Sequence, residues 1–364
     1  MKNAYCTLRA KPWHKPVEFR CGPAQFAGMS KKTPFKTFGV LGAGAWGTAL
    51  AQSLAMAGCD VVLWARDPAL AGEINRTQGN PARLPGVALD RRLKATNDFA
   101  DVAARDAVFL AAPAQHTRAL AALLKPHVQR ETEYVICAKG FEQSTGHLMS
   151  AVVFKEADVL PSVLSGPGFA AEVARGLPTA LVLASVDMKT SSRLGNAIGH
   201  GTLRIYFSDD VSGVQIGGAV KNVLAIAAGI VAGRKLGASA LAALVTRAFS
   251  ELTDFGRLCG VRRETLSGLS CFGDLILTCN SPQSRNFTFG KHLGEGRTVA
   301  EALAATGGTV EGVYTAATVH KDATTGKRRI EMPIATAVHH IVSGEQSVDQ
   351  AIDELADRPQ KAEA

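Results

Sequence analysis

Apolar residues occur in two textures along the chain, and the change comes near residue 210. Upstream, short unbroken runs recur: TFGVL at 37–41, VVLWA at 61–65, AVFLAA at 107–112, YVICA at 134–138, TALVLAS at 179–185 and TLRIYFS at 202–208. Each has strand length, and their near-continuous apolarity suits strands covered on both faces. Between them lie helical patterns at 46–57, from about Gln115 to Leu124, and from the GPGFA loop through Arg175, with Glu172 in its first turns. Strand alternating with helix predicts the α/β class with a mostly parallel sheet. After Asp210 strand-like runs nearly vanish. Helical periodicity takes over at 212–232 and 238–259, then in shorter pieces to about Leu355, with loops at 279–286, 306–309 and 324–327.

The stretch Asp210–Arg234 holds one charged residue between its ends, Lys221. Ile216, Val220, Val223, Leu224, Ala227 and Val231 recur at helical spacing and predict a core-facing stripe. Gly218, Ala225 and Gly229 follow another face, smooth enough for a backbone or ligand to come close. An ammonium beside Asn222 on such a helix has two readings. It snorkels to water at the helix edge, or burial lowers its pKa into the range that proton transfer near neutrality needs.

The first strand runs directly into Gly42-Ala-Gly44-Ala45-Trp46-Gly47, then a helix and the second strand, all within some 30 residues. In that setting G-x-G-x-x-G predicts dinucleotide binding. The first glycine makes the turn, the second admits the pyrophosphate, the third packs helix on strand, and the helix N-terminus supplies amide donors. At the end of the second strand, Arg66 suits a 2′-phosphate and favours NADP, while the adjacent Asp67 leaves NAD open. Pro113, Lys139 and Gly140 fall just beyond two further strands, where ligands of open parallel sheets sit. The expected organisation is a basic, disordered arm over 1–35, a Rossmann-type NAD(P)-binding domain over 36–212 and a helical substrate and catalytic domain over 213–364.

Charge changes this picture little. The net +8 resides almost wholly in residues 1–36, where eight Lys and Arg face Glu18 alone. The near-neutral remainder argues against a nucleic-acid surface. Seven scattered cysteines without a C-x-x-C pair fit a reducing compartment, hence the cytoplasm, and no structural metal site is expected. His339-His340 lacks ligand spacing to any partner. Uncharged runs fall short of the roughly 20 residues of a bilayer span, so no membrane span is expected. Met29, just ahead of the first strand, suggests that translation starts there and that residues 1–28 are an upstream artefact or a disordered tail; an organelle transit peptide is the other reading, since the segment is nearly free of acids though not Ser-rich.

A second dense stretch is CFGDLILTCNSPQSRN, 271–286. Asp274 before an apolar run reads first as a helix cap. Ser284-Arg285-Asn286 offers donors suited to phosphate, or a solvated loop.

Taken together, GAGAWGTALA, AKGFE, SGPGFAAEVARGLPTA, GGAVKNVLAIAAGI, GDLILTC, SRNFTFG and VEGV, in this order from about Phe38 to Arg358, resemble the NAD(P)-dependent glycerol-3-phosphate dehydrogenases of bacterial type. The resemblance implies reversible reduction of dihydroxyacetone phosphate to sn-glycerol 3-phosphate, a phospholipid precursor, in a cleft between two domains. It implies that Lys221 transfers the proton, that Lys139 touches cofactor and substrate, and that Asp274 and Thr278 line the substrate pocket; on physical grounds Asp274 can hold Lys221 in place and tune its pKa. Gly166, Gly168, Asn222, Asp274, Thr278, Ser284, Arg285 and Asn286 fall at its substrate positions. Gly42, Gly44, Ala45, Trp46, Gly47, Arg66, Lys139, Ala170, Arg285 and Glu311 fall at its cofactor positions.

The chain departs from the family pattern at Gly168 (usually Ser or Asn), Gln215 (usually Glu) and Ala238-Ser239 (usually an acid then Asn), which bears on efficiency rather than reaction type. Another two-domain hydroxyacid dehydrogenase with a catalytic lysine, and a non-catalytic dinucleotide sensor, stay open alternatives. The oligomeric state is not fixed by the sequence, a homodimer being the assembly entertained.

Overall fold

The computed structural model describes residues 6–8, 17–19, 34–325 and 329–359. An eight-stranded sheet dominates the first half: β1 (Thr37–Leu41), β2 (Asp60–Trp64), β3 (Leu93–Thr96), β4 (Ala107–Leu110), β5 (Glu133–Ile136), β6 (Ser162–Ser165), β7 (Thr179–Ala184) and β8 (Leu203–Ser208). Its spatial order is 8-7-6-5-4-1-2-3, parallel throughout except where β7 runs antiparallel to β6. The six-strand portion 3-2-1-4-5-6 is the dinucleotide-binding order, with its crevice where connections diverge from β1. Phe38, Val40, Leu63 and Phe109 are buried on one face and Leu41, Val108, Leu110 and Ile136 on the other, as a sheet covered on both faces demands.

The six strands expected from the sequence are present. Two more, β3 and β6, were not foreseen: β3 is four residues of mixed polarity, and β6 is the SVLS that feeds the GPGFA loop. Of the arm expected to be disordered, Cys6–Leu8 pairs antiparallel with Val17–Phe19, and Phe35 is buried in the sheet domain's core with the Arg193 guanidinium over its ring. Phe35 thus packs with the sheet domain. Met29 lies outside the described residues.

The second half is helical and wraps one element, the helix Val211–Gly233. Asp210 caps it, accepting from the Gly213 amide, and also takes the Thr265 hydroxyl. By length and composition this helix passes for a membrane span, yet 89% of its most apolar 18-residue window is enclosed by protein. Helices Arg285–Gly294, Glu311–Thr325, Ala238–Leu258 and Asp274–Cys279 pack around it. The closest neighbour is Arg285–Gly294. A Cβ on Gly229 would stand 2.0 Å from the Phe287 carbonyl oxygen, and one on Gly290 2.0 Å from that of Ile226. Two backbones touch there, which only residues without side chains permit.

Candidate active site

Where the sheet's carboxyl edge meets the central helix, three charged side chains converge. Lys221 is 6% exposed and projects from the central helix. Its Nζ donates to Asp274 Oδ1 at 2.9 Å and to Thr278 Oγ1 at 2.5 Å. Lys139, from the loop after β5, donates from Nζ to Asp274 Oδ2 at 2.6 Å and to the Gly166 carbonyl at 3.0 Å. One carboxylate thus holds an ammonium from each half of the chain. Asp274 and Thr278 stand one turn apart on the short helix Asp274–Cys279 and face the same side. A π-helical turn, Leu269–Gly273, leads into that helix, with Cys271 packed against Gly217 of the central helix. Such turns break helical register locally and so re-aim the residue that follows.

The electrostatics follow from burial. Burial lowers the Lys221 pKa to about 8; Asp274 opposes the shift and Lys139 adds to it. Burial pushes Asp274 upward, but the two lysines, by charge and hydrogen bond, outweigh it and hold the carboxyl below its ordinary value. At neutral pH the cluster is therefore an anion between two cations, one of them ready to lose its proton.

These facts settle two readings. Lys221 does not snorkel: no edge of the helix around it is free. Asp274 is not a cap, since Gly273 holds the cap position and the carboxylate is spent on lysines.

The remaining residues sort by neighbourhood. Asn222 donates to the Gly218 carbonyl at 3.3 Å and, weakly, to that of Lys139 at 3.4 Å, and accepts from Asn286 Nδ2 at 3.0 Å. Asn286 in turn accepts from the Gly312 amide at 2.9 Å. Its amide is used at both ends, so it fixes Asn222 and the helix opening at Glu311. Ser284 caps Arg285–Gly294, accepting from the Phe287 amide, and Arg285, the first residue of that helix, is exposed. It is a helix residue, not part of a loop. Glu311 reaches across to the sheet domain and accepts from the Ala114 amide at 2.9 Å, while its other oxygen, buried, has no partner among the described residues. Burial raises its pKa, against that hydrogen bond and the nearby Arg285.

The glycine-rich turn joins β1 to the helix Ala45–Met56. Gly42 adopts φ +123°, and a Cβ on Gly47 would lie 1.9 Å from the Gly42 carbonyl oxygen, so both positions exclude side chains. Nothing lies within 4 Å of a Cβ on Gly44, and no side chain caps the helix there. Free amides at an open helix N-terminus fit a dinucleotide pyrophosphate. Ala45 and Trp46 open that helix, Arg66 is exposed just past β2, and Ala170 opens a helix after the Gly166–Gly168 loop. Asp67 caps the next helix through the Ala69 amide.

Gln215, one of the departures from the family pattern, is tied to the sheet domain. Both ends of its amide bond Ser150 of the sheet domain, and Ala238 sits exposed at a helix start. A groove of about 1420 Å³ along Ala238–Leu258 is lined by none of the site residues.

Cross-domain contacts such as the Glu311–Ala114 bond, the Gln215–Ser150 pair and Gln283 Nε2 donating to Glu172 at 3.0 Å leave no local signal in the sequence, because their partners lie far apart along it.

Comparison with known proteins sets this geometry in context. Residues 37–191 match the family described as NAD-dependent glycerol-3-phosphate dehydrogenase N-terminus, and residues 210–353 match the corresponding C-terminus. A glycerol-3-phosphate dehydrogenase [NAD(P)+] of Parvibaculum lavamentivorans is 51% identical over 331 residues, covering 90% of this chain and 98% of that protein. Among solved structures, glycerol-3-phosphate dehydrogenase from Coxiella burnetii superposes with TM-score 0.84 at 38% identity, over 89% of this chain and all of that one. The Saccharomyces cerevisiae enzyme does so with TM-score 0.77 at 27% identity, over the same shares.

Proposed function

Because the chain belongs to the NAD-dependent glycerol-3-phosphate dehydrogenase family, we propose that Lys221 is its proton-transfer residue and that Asp274 sets the acidity of Lys221. The enzyme is an oxidoreductase that reduces dihydroxyacetone phosphate to sn-glycerol 3-phosphate, reversibly, with NADPH or NADH. A nicotinamide held in this site would supply the hydride for the carbonyl carbon. Charge then develops on the carbonyl oxygen, where a cationic acid is most useful. Lys221, protonated at neutral pH, gives that oxygen its proton, and neutral Lys221 takes the proton back in oxidation. Lys139 steadies the developing charge. Asp274 holds both amines in place and keeps Lys221 charged despite its burial. The observation that supports this reading is the single buried carboxylate shared by lysines from the two halves.

Arg285, exposed at the start of its helix with Ser284 beside it, takes the substrate phosphate. Gly166 and Gly168 shape the facing loop, and Thr278 and Asn222 line the pocket. Gly42, Gly44, Ala45, Trp46 and Gly47 would hold the cofactor, with Arg66, Lys139, Ala170 and Glu311 as its further contacts. Asp67 is engaged as a cap, which leaves Arg66 to a 2′-phosphate and favours NADP. We divide the chain into cofactor and substrate domains near residue 212, and place the enzyme in the cytoplasm as a homodimer that supplies phospholipid synthesis.

The test is oxidation of NADPH and NADH with dihydroxyacetone phosphate as acceptor. Turnover, faster with NADPH, is expected; turnover with 3-hydroxy acids in its place would contradict the substrate assignment.

A further inference from the structure

We infer that Asn80 is a positioning residue for the cofactor pyrophosphate, acting through the peptide that joins Ala43 to Gly44. Asn80 comes two residues after the left-handed Gln78 (φ 49°) that ends the helix Pro68–Thr77, and is 1% exposed. Its Nδ2 donates to the Ala43 carbonyl at 3.1 Å and to Thr48 Oγ1 at 2.9 Å. A carbonyl oxygen only accepts, so this fixes which end of the carboxamide faces the turn. One side chain thereby ties the middle of the glycine-rich turn to the helix that leaves it.

The consequence follows from peptide geometry. In a planar trans peptide the C=O and the following N–H point to opposite sides. Pinning the Ala43 oxygen toward Asn80 turns the Gly44 N–H away from Asn80; Gly44 is itself exposed, with nothing within 4 Å of a Cβ built on it. A free peptide flips at little cost; a tethered one keeps its donor aimed, so affinity is not spent on ordering it. Asn80 Oδ1 is buried without a partner among the described residues. A group that merely filled space would not carry that penalty. What the residue contributes is its donor end.

The inference rests on the dinucleotide reading of the turn, and one set of measurements separates the two. The probes are NADPH and adenosine 2′-phosphate, which shares the adenine ribose end but lacks the pyrophosphate. With wild-type enzyme, absence of NADPH oxidation would defeat the dinucleotide reading itself. Given an active wild type, Asn80→Ala should raise about tenfold both the KM for NADPH and the Kd of NADPH read by fluorescence titration without substrate. The inhibition constant of adenosine 2′-phosphate, the KM for dihydroxyacetone phosphate and kcat at saturating NADPH should stay within twofold. Asn80→Asp keeps the volume but turns the donor into an acceptor facing a carbonyl, so its effect should be at least as large; it carries the test should Asn80→Ala not fold. Thr48→Val, which spares the Ala43 bond, should change the NADPH KM less than threefold. An unchanged NADPH KM in a folded Asn80 variant, or equal losses for NADPH and adenosine 2′-phosphate, would overturn the inference.

Discussion

Lys221 Nζ sits 2.9 Å from Asp274 Oδ1, and both side chains are almost wholly enclosed. They come from helices 53 residues apart in sequence. Neither would stay charged at such depth alone, since an isolated buried ion costs several kcal/mol. Together they remain ionised, with Lys221 close to its point of proton loss.

Lys221→Ala removes the acid but leaves the glycine-rich turn untouched. We expect kcat to fall by about 10²–10⁴, the usual worth of a positioned general acid, with NADPH affinity within a few fold. Steady-state kinetics and fluorescence titration of NADPH measure the two separately. Retained turnover would remove the role assigned to Lys221.

Asp274→Asn leaves two amines facing each other without a counter-charge. The Lys221 pKa should drop further, because the attraction that opposes burial is lost. The pH at which reduction fades then moves to more acid values. Breaking a buried pair in this way costs up to about 3–5 kcal/mol, so the melting temperature falls too. Rate profiles and thermal melts of the variant check both.

Arg285→Ala should raise the KM for dihydroxyacetone phosphate tenfold or more, in line with roughly 1.5–3 kcal/mol for a hydrogen bond to a charged group. An effect seen only on NADPH would count against its assignment to the substrate phosphate.

Gly229→Ala places a methyl against the Phe287 carbonyl, where two backbones meet. Overpacking of this kind costs about 1–3 kcal/mol. The melting temperature should fall by several degrees. Arg285, carried on the displaced helix, should lose substrate affinity in step. A melt indistinguishable from wild type would show that the two helices separate easily.

Glu133 offers a test away from the site. Burial raises its pKa from the ordinary 4.5 to about 7, against the hydrogen bond from Ser162. Between those values the native state binds more protons than the unfolded chain, so its contribution is complete below about 4.5 and is lost as pH rises through 7. The full swing is on the order of 3 kcal/mol. Glu133→Gln should flatten the fall in melting temperature between pH 5 and 7.5; an unchanged slope would mean that Glu133 is ionised in the folded protein.

The residues that carry chemistry differ in how far the sequence discloses them. Gly42, Gly44 and Gly47 are legible because strand, turn and helix adjoin, so the constraint is local. The central helix announces itself through 23 residues with one charge. Asp274 is different. A carboxylate ahead of an apolar run satisfies the cap pattern equally well, and its partners, Lys139 and Lys221, are far away in sequence. Strand β3 carries Lys94 and Thr96 among four residues, too short for alternation to speak. Asn80 leaves no periodic trace at all: its role depends on a turn that folds it onto a loop 37 residues earlier. Local order is written in spacing, whereas cross-chain partnership is written only in three dimensions.

The pH dependence of kcat, measured in both directions on the wild-type enzyme from pH 6 to 10, bears most directly on Lys221. With its pKa near about 8, reduction of dihydroxyacetone phosphate should decline and oxidation of glycerol 3-phosphate should rise through the same inflection, and Asp274→Asn should shift it to lower pH. Flat profiles in both directions, or an inflection that Asp274→Asn leaves in place, would contradict proton transfer by Lys221.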